Sequence, residues 1–304
     1  MSAAADARPV ELRYLDPAVI ARLGTMELRA KTIVEGFLSG LHRSPFRGFS
    51  VEFAEYRQYL PGDDLSTIDW KVYARSDRFY VKKYEEDTNL DCHILLDVSA
   101  SMSYASGEVS KVAYGSYLAA ALAYLMKRQR DAVGLVAFDD RIVDRLPASA
   151  RPGHLKALLL ALSRLQPGSR SDVSKPLHLL AEALARRSMC VLISDLLDDP
   201  ASVINGLKHL RFRGTDVIVF NVFDPAELTF PFEHPARFKD MEDDAELLAA
   251  PAAVRKEYLR RLGEMLDLYE RELRGAGIDY VRLDTSMPLD MALLAYLSTR
   301  SKHI

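Results

Sequence analysis

Residues 93–102 read HILLDVSASM: His93, Ile94, Leu95 and Leu96, then Asp97, Val98, Ser99, Ala100, Ser101 and Met102. The run is apolar up to Asp97 and then turns polar, with a carboxylate followed by two alternate hydroxyls. An uninterrupted Ile/Leu run lacks the polar alternation of a half-exposed strand. It predicts a strand buried on both faces, as in a parallel sheet covered by helices. The polar residues then fall just beyond its carboxyl end, which is where doubly wound sheets bind ligands.

The same texture recurs downstream. Apolar runs at Cys92–Leu96, Ala132–Phe138, Met189–Ile193, Val217–Phe223 and Tyr280–Leu283 predict strands, with Ile142–Leu146 as a short edge strand. Between and around them, Val109–Arg128, Leu155–Leu165, Pro176–Arg186, Ser202–Phe212, Ala253–Arg274 and Leu289–Thr299 have helical periodicity. Alternating strands and helices predict an α/β fold with a mostly parallel sheet, and right-handed crossovers make it doubly wound, or Rossmann-like. Glu227–Leu248 breaks the alternation and reads as an insertion with the form of a hairpin. Its Phe230, Phe232 and Phe238 suit either a docking surface or a cover for the sheet edge.

The first third differs. Residues 1–12 have the composition of a disordered arm, and Asp16-Pro17 is a helix-start signal. Helical character runs from there to Phe37 with a break at Gly24, followed by a basic, Gly- and Pro-containing loop. Residues 51–84 are dense in aromatic and charged side chains around the turn Pro61-Gly62-Asp63-Asp64, with a strand expected at Phe79–Tyr84. The expected organisation is an N-terminal helical and extended segment, residues 1–89, packed on an α/β domain, residues 90–304.

Composition narrows the function classes. The 304 residues are 49% hydrophobic and 27% charged, with a net charge of -3 and a pI near 6.2. That balance belongs to a soluble globular protein and argues against a dedicated nucleic-acid binder. His42, Arg43, Arg47, Lys82 and Lys83 interleave with aromatics, but Glu85, Glu86 and Asp87 offset them. The longest uncharged run, Val112 to Met126, is too short to span a bilayer, and the N-terminus has no signal-peptide core. A cytoplasmic location is the expectation. Cys92 and Cys190 are too few for a disulfide framework and read as buried small hydrophobes, each five positions before an aspartate.

Three segments deliver polar side chains to the same sheet edge: Asp97, Ser99 and Ser101; Ser194-Asp195; and the loop Gly168-Ser169-Arg170-Ser171-Asp172-Val173. Oxygen-only donors suit Mg²⁺, Mn²⁺ or Ca²⁺ and not zinc or copper. Two carboxylates and several hydroxyls leave such an ion under-neutralised, with a position open to an acidic group from another molecule. Alone, the D-x-S-x-S spacing is a weak signal and reads first as helix capping after a strand–helix turn. Asp198 and Asp199 are open to the same pair of readings, a second ion or a cap.

With Ser171 and Asp195 added, the pattern resembles the metal-ion-dependent adhesion site of von Willebrand factor A domains. That resemblance implies metal ligands at Asp97, Ser99, Ser101, Ser171 and Asp195, with Ser171 in place of the usual threonine and Ser169 as its competitor. It also implies the strand order 3-2-1-4-5-6, with Cys92 and Cys190 as neighbours in the sheet.

A second pattern lies upstream: Glu52-Phe53, Arg57, Tyr59, Pro61-Gly62-Asp63, then Ile68-Asp69-Trp70, Ala74-Arg75 and Val81-Lys82. It resembles the bacterial and archaeal family catalogued as domain of unknown function 58, which carries these motifs ahead of an A-domain-like half. The two patterns together span residues 15–300. Membership implies partnership with a MoxR-type AAA+ ATPase, in chaperone-like or complex-maturation systems. Within this segment Trp70 is expected to anchor the chain, and Arg57, Asp69 and Arg75 to form an ion-paired network.

The resulting expectation is a non-enzymatic interaction module. Its rival is a Mg²⁺-dependent phosphohydrolase or phosphotransferase using Asp97 as nucleophile and Asp195 as metal ligand. Dehalogenase-like phosphatases place an acid two positions after the nucleophile, where this chain has Ser99. The sequence has no G-x-x-x-x-G-K-[ST] loop, no G-x-G-x-x-G after the first strand and no G-x-S-x-G. His93 reads as a packed strand residue, and His154, His178 and His209 as surface or capping groups.

Overall fold

The computed structural model describes residues 16–41, 55–58, 80–83, 91–168, 172–184, 188–234, 236–241 and 246–300. Its strands are β1 (Glu55–Gln58), β2 (Tyr80–Lys83), β3 (Asp91–Asp97), β4 (Ala132–Phe138), β5 (Ile142–Ser149), β6 (Met189–Ser194), β7 (Asp216–Phe223), β8 (Ala236–Lys239), β9 (Glu246–Ala249) and β10 (Asp279–Asp284). Six of them form one sheet in the order β10-β7-β6-β3-β4-β5, parallel except for the antiparallel edge β5. Counted from β3, this is the order 3-2-1-4-5-6 of the von Willebrand factor A-like fold. The order reverses between β3 and β6, whose carboxyl ends carry Asp97 and Ser194-Asp195.

Helices α1 (Pro17–Ala21), α2 (Met26–Leu41), α3 (Lys111–Arg128), α4 (His154–Arg164) and α9 (Asp290–Arg300) cover one face. Ile94, Leu96, Met189, Val191 and Ile193 meet them there. Helices α5 (Ser174–Ala183), α6 (Pro200–Phe212) and α8 (Pro251–Gly275) cover the other, against Leu95, Cys190, Leu192, Val217 and Val219. Both faces of the central strands are therefore dry, which is why they read as unbroken apolar runs. Asp16 caps α1 as expected, accepting from Ala18 N at 2.8 Å. Helix α2 buries Ala30, Ile33, Val34 and Phe37 in the same core as Leu118 and Leu122 of α3.

Several elements begin or run differently from their sequence-based bounds. Helices α6 and α8 start at Pro200 and Pro251, because a proline in the first turn is already set for helix and forfeits no hydrogen bond. The insertion splits into a short helix, α7 (Pro225–Thr229), and an antiparallel hairpin, β8–β9. Strands β1 and β2 pair antiparallel as a separate two-stranded sheet. The two cysteines lie on adjacent strands but are one residue out of step, since Cys92 pairs with Met189 and His93 with Cys190. A one-residue offset turns side chains to opposite faces, so Cys92 packs beneath α3 and Cys190 beneath α6. Burial pushes the Cys190 thiol up to about 12, and Cys92 and Cys190 form no disulfide. Trp70, Asp69, Arg75, His42, Arg43 and Arg47 lie outside the described residues. Among the described residues no helix is long and apolar enough to cross a membrane.

Candidate metal centre

Asp97 closes β3 and is fully buried. Leu96 pairs with Ile193, which brings Asp97 opposite Ser194 of β6. Its two oxygens are held from two directions: Oδ1 accepts from Ser99 N at 2.8 Å, and Oδ2 accepts from Ser194 Oγ at 2.6 Å. The first bond is an Asx-turn that reverses the chain immediately after the strand. That reversal sets Ser99 Oγ and Ser101 Oγ 3.0 Å apart, with Ser101 opening a one-turn 3₁₀ helix, Ser101–Ser103. The D-x-S-x-S segment therefore brings its two hydroxyls together just after Asp97.

Asp195 is equally buried and follows β6 directly. Its Oδ1 accepts from Leu197 N at 3.2 Å. Leu196 adopts a left-handed conformation, φ 53°, which folds the chain back over the strand end. Leu196 N donates to Ser194 Oγ (3.0 Å), and Tyr269 Oη donates to Leu196 O (3.0 Å). Asn221, oriented by its neighbours, donates to Asp195 O at 2.9 Å and accepts from Tyr280 Oη at 2.7 Å. Ser194 is thus the hydroxyl that ties the two strand ends together, a role its sequence position beside Asp195 did not reveal.

The middle loop is fixed on both flanks. Gly168 N donates to Val98 O at 2.5 Å, and any side chain at Gly168 would collide with the Asp139 carboxylate. Beyond the loop, Val173 N donates to Asp198 Oδ2 at 3.0 Å. Gly168 is thus held beside Val98 and Val173 beside Asp198; Ser169 and Ser171 themselves lie outside the described residues. Asp198 holds this loop, whereas Asp199 caps α6, accepting from Ser202 N at 2.9 Å.

A residue absent from the sequence-based site lies at its centre. Lys111, the first residue of α3, is fully buried; its Nζ donates to Asp195 Oδ2 at 2.7 Å and to Glu227 Oε1 at 2.6 Å. Glu227 Oε2 in turn accepts from Asp224 N, and buried Asp224 accepts from Ser106 N and Ala226 N. Burial works against the Lys111 charge, but the two carboxylates outweigh it and hold its pKa above the ordinary lysine value. Burial, then the neighbouring Asp195, push Asp97 up to about 7, against the lowering effect of its Ser194 and Ser99 donors.

This donor set fits a hard divalent cation. It offers carboxylate and hydroxyl oxygens only, and burial beside Asp195 disfavours the ionised form of Asp97, which a bound cation would offset. Among the described residues no group of three or more His, Cys, Asp or Glu is placed to hold an ion, so an ion here would need the serine hydroxyls as well as the carboxylates. His154, His178 and His209 have other partners. His154 Nε2 contacts Val133 O at 2.7 Å, and His178 and His209 pair with each other on the surface at 3.1 Å. Burial lowers the pKa of His93, which is half-buried in β3.

A cleft of about 650 Å³ adjoins Ser101, and Phe230, Phe232, Phe238 and Tyr258 line it. Phe230 is the hub of these rings, with centroids 5.1, 5.6 and 4.9 Å from Phe232, Phe238 and Tyr258 respectively. Arg255 donates to the Phe230 and Phe232 carbonyls, and Tyr258 Oη donates to Glu227 O, so the wall is braced by α8.

Comparison with known proteins agrees with this architecture. Two uncharacterized proteins, one from Mycobacterium bovis and one from Mycobacterium tuberculosis, are each 26% identical over 291 residues, covering 94% of this chain and 91% of theirs. Among solved structures, the conserved hypothetical protein BatB from Bacteroides thetaiotaomicron has a TM-score of 0.50 at 18% identity, over 70% of this chain and 98% of that one. The SpRpn10 VWA domain has a TM-score of 0.37 at 11% identity, over 68% and 94% of the two chains. The likeness to BatB shows the fold alone. The model of the family described as "Protein of unknown function DUF58" matches residues 55–264, more than half of the chain, and the protein belongs to that family.

Proposed function

We propose that the protein is a non-enzymatic interaction module that presents a divalent cation, Mg²⁺ or alternatively Mn²⁺ or Ca²⁺, to an acidic residue of a protein partner. Asp97, Ser99, Ser101 and Asp195 would hold the ion, with Ser171 from the middle loop. The observation that carries this reading is the meeting of two buried carboxylates with the paired Ser99 and Ser101 hydroxyls at the reversal of strand order. When bound, the ion supplies an electrophilic position for an incoming carboxylate. The protein's own groups orient the donors and exclude water from the floor of the site. The aromatic cleft beside Ser101 gives the partner segment an apolar surface to lie on. A MoxR-type AAA+ ATPase in the cytoplasm is the partner that the family resemblance implies.

The arrangement favours binding over turnover. Position 99 is a serine, whose hydroxyl is far too weak an acid to protonate a leaving group at neutral pH, where dehalogenase-like phosphatases place a carboxyl group. Calorimetric titration of the purified protein with each of the three ions tests the reading. Saturable binding to the wild type, lost in Asp97→Ala, is expected, together with EDTA-sensitive binding to a purified MoxR-type ATPase. Absence of binding for all three ions, or metal-dependent hydrolysis of simple phosphate esters, would overturn it.

A further inference from the structure

We propose that Lys111 is a resident competitor for the cation: its ammonium holds Asp195 when no divalent ion is bound, and yields that carboxylate, keeping Glu227, when one binds. The inference rests on the cation reading above and adds a determinant of affinity to it.

The geometry is specific. Lys111 follows the N-cap Ser110 and sends its side chain away from solvent, to a point between Asp195 Oδ2 at 2.7 Å and Glu227 Oε1 at 2.6 Å. A buried ammonium is costly unless it is paired and hydrogen-bonded, so both carboxylates are needed to keep it there. The two partners are not alike. Asp195 is fully buried and belongs to the candidate metal centre; Glu227 is 18% exposed, lines the aromatic cleft, and is anchored through its other oxygen to Asp224 N.

A lysine is a compact charge on a flexible stem, able to shift between neighbouring acceptors. An ion held by Asp97, Ser99 and Ser101 draws on the same Asp195 carboxylate and repels the ammonium. Glu227 remains as a place for that charge to stay. The intrinsic affinity of the oxygen cluster is therefore reduced by whatever Lys111 must relinquish. Because Glu227 lies in the cleft wall with Phe230 and Tyr258, occupancy of the site reaches the surface on which a partner segment would rest.

Calorimetric titrations of Mg²⁺ and Mn²⁺ into the wild type, Lys111→Met and Glu227→Gln test the proposal without any activity assay. Methionine keeps the length of the stem and removes the charge, so affinity should rise by about tenfold, within the range for coupled neighbouring groups. Glu227→Gln leaves the ammonium to Asp195 alone, so affinity should fall by a similar factor. The opposite signs are the signature, because generic damage to the site would weaken both variants. Should Lys111→Met fail to fold without metal, Glu227→Gln still decides the matter: unchanged or tighter binding there overturns the proposal. Wild-type affinity in Lys111→Met overturns it while leaving the cation reading intact. Binding in Lys111→Met alone supports it, and shows that the lysine closes the site in the wild type. Absence of binding in all three proteins overturns both.

Discussion

Replacing Asp97 with asparagine should stabilise the cation-free protein above neutral pH and do little in acid. Burial and the neighbouring Asp195 raise the folded-state pKa from 3.8 to about 7. A carboxyl whose folded value is raised contributes stability fully below the unfolded value and loses it as pH climbs through the folded one. That contribution is therefore complete below about pH 4 and gone above about pH 7, and at about 1.4 kcal/mol per unit it amounts to roughly 4 kcal/mol. Asparagine is neutral at every pH, so at about pH 8 it escapes this penalty. It still accepts from Ser99 N but cannot accept from Ser194 Oγ as Asp97 Oδ2 does, which costs about 1–2 kcal/mol. The net gain is roughly 2–3 kcal/mol, a rise of about 3–5 °C in Tm for a chain of this length. Circular-dichroism melts in EDTA at about pH 5 and about pH 8 measure it, and added Mg²⁺ should reverse the order by stabilising only the wild type. A difference between the two proteins that is the same at both pH values would refute the claim that burial beside Asp195 disfavours the ionised form of Asp97.

Two other substitutions probe the supports of the site. A Cβ at Gly115 would lie 2.9 Å from Leu96 Cδ1 and 3.1 Å from Ile193 Cγ2, so Gly115→Val should overpack the interface beneath both strand ends. A loss of about 2–3 kcal/mol, read from the urea midpoint, is expected. Asp224→Ala removes the N-cap of α7 and the acceptor for Ser106, and should cost about 2 kcal/mol; faster amide exchange confined to α7 and its neighbours would locate the damage.

The strand ends were legible because dry strands announce themselves. Ile94–Leu96 and Val191–Ile193 are unbroken apolar runs, so the polar side chains that directly follow each run mark the sheet edge. Asp97 and Asp195 followed from that rule, as did Ser99 and Ser101. The position of Lys111 did not. A lysine before fifteen uncharged residues reads as the solvated start of a helix, yet the positive end of the helix dipole disfavours a cation there. That mismatch was the available clue, and the carboxylates that resolve it come from residues 84 and 116 positions away. The cysteines do lie on adjacent strands, but the faces they turn to were not legible, for a different reason. Matched spacing to an aspartate says nothing about a one-residue stagger between strands, and the stagger decides the face.

Helix α3 is roofed by α2 and floored by the sheet, so residues Leu118 to Ala123 meet no solvent on any side. The family match begins at residue 55, downstream of that roof. A fragment cut at the match would lay bare a greasy strip along the helix that carries Lys111 at its tip. The opening helices are therefore part of the foundation under the candidate site, and an excision that honours the motif boundary would divide what the molecule keeps whole.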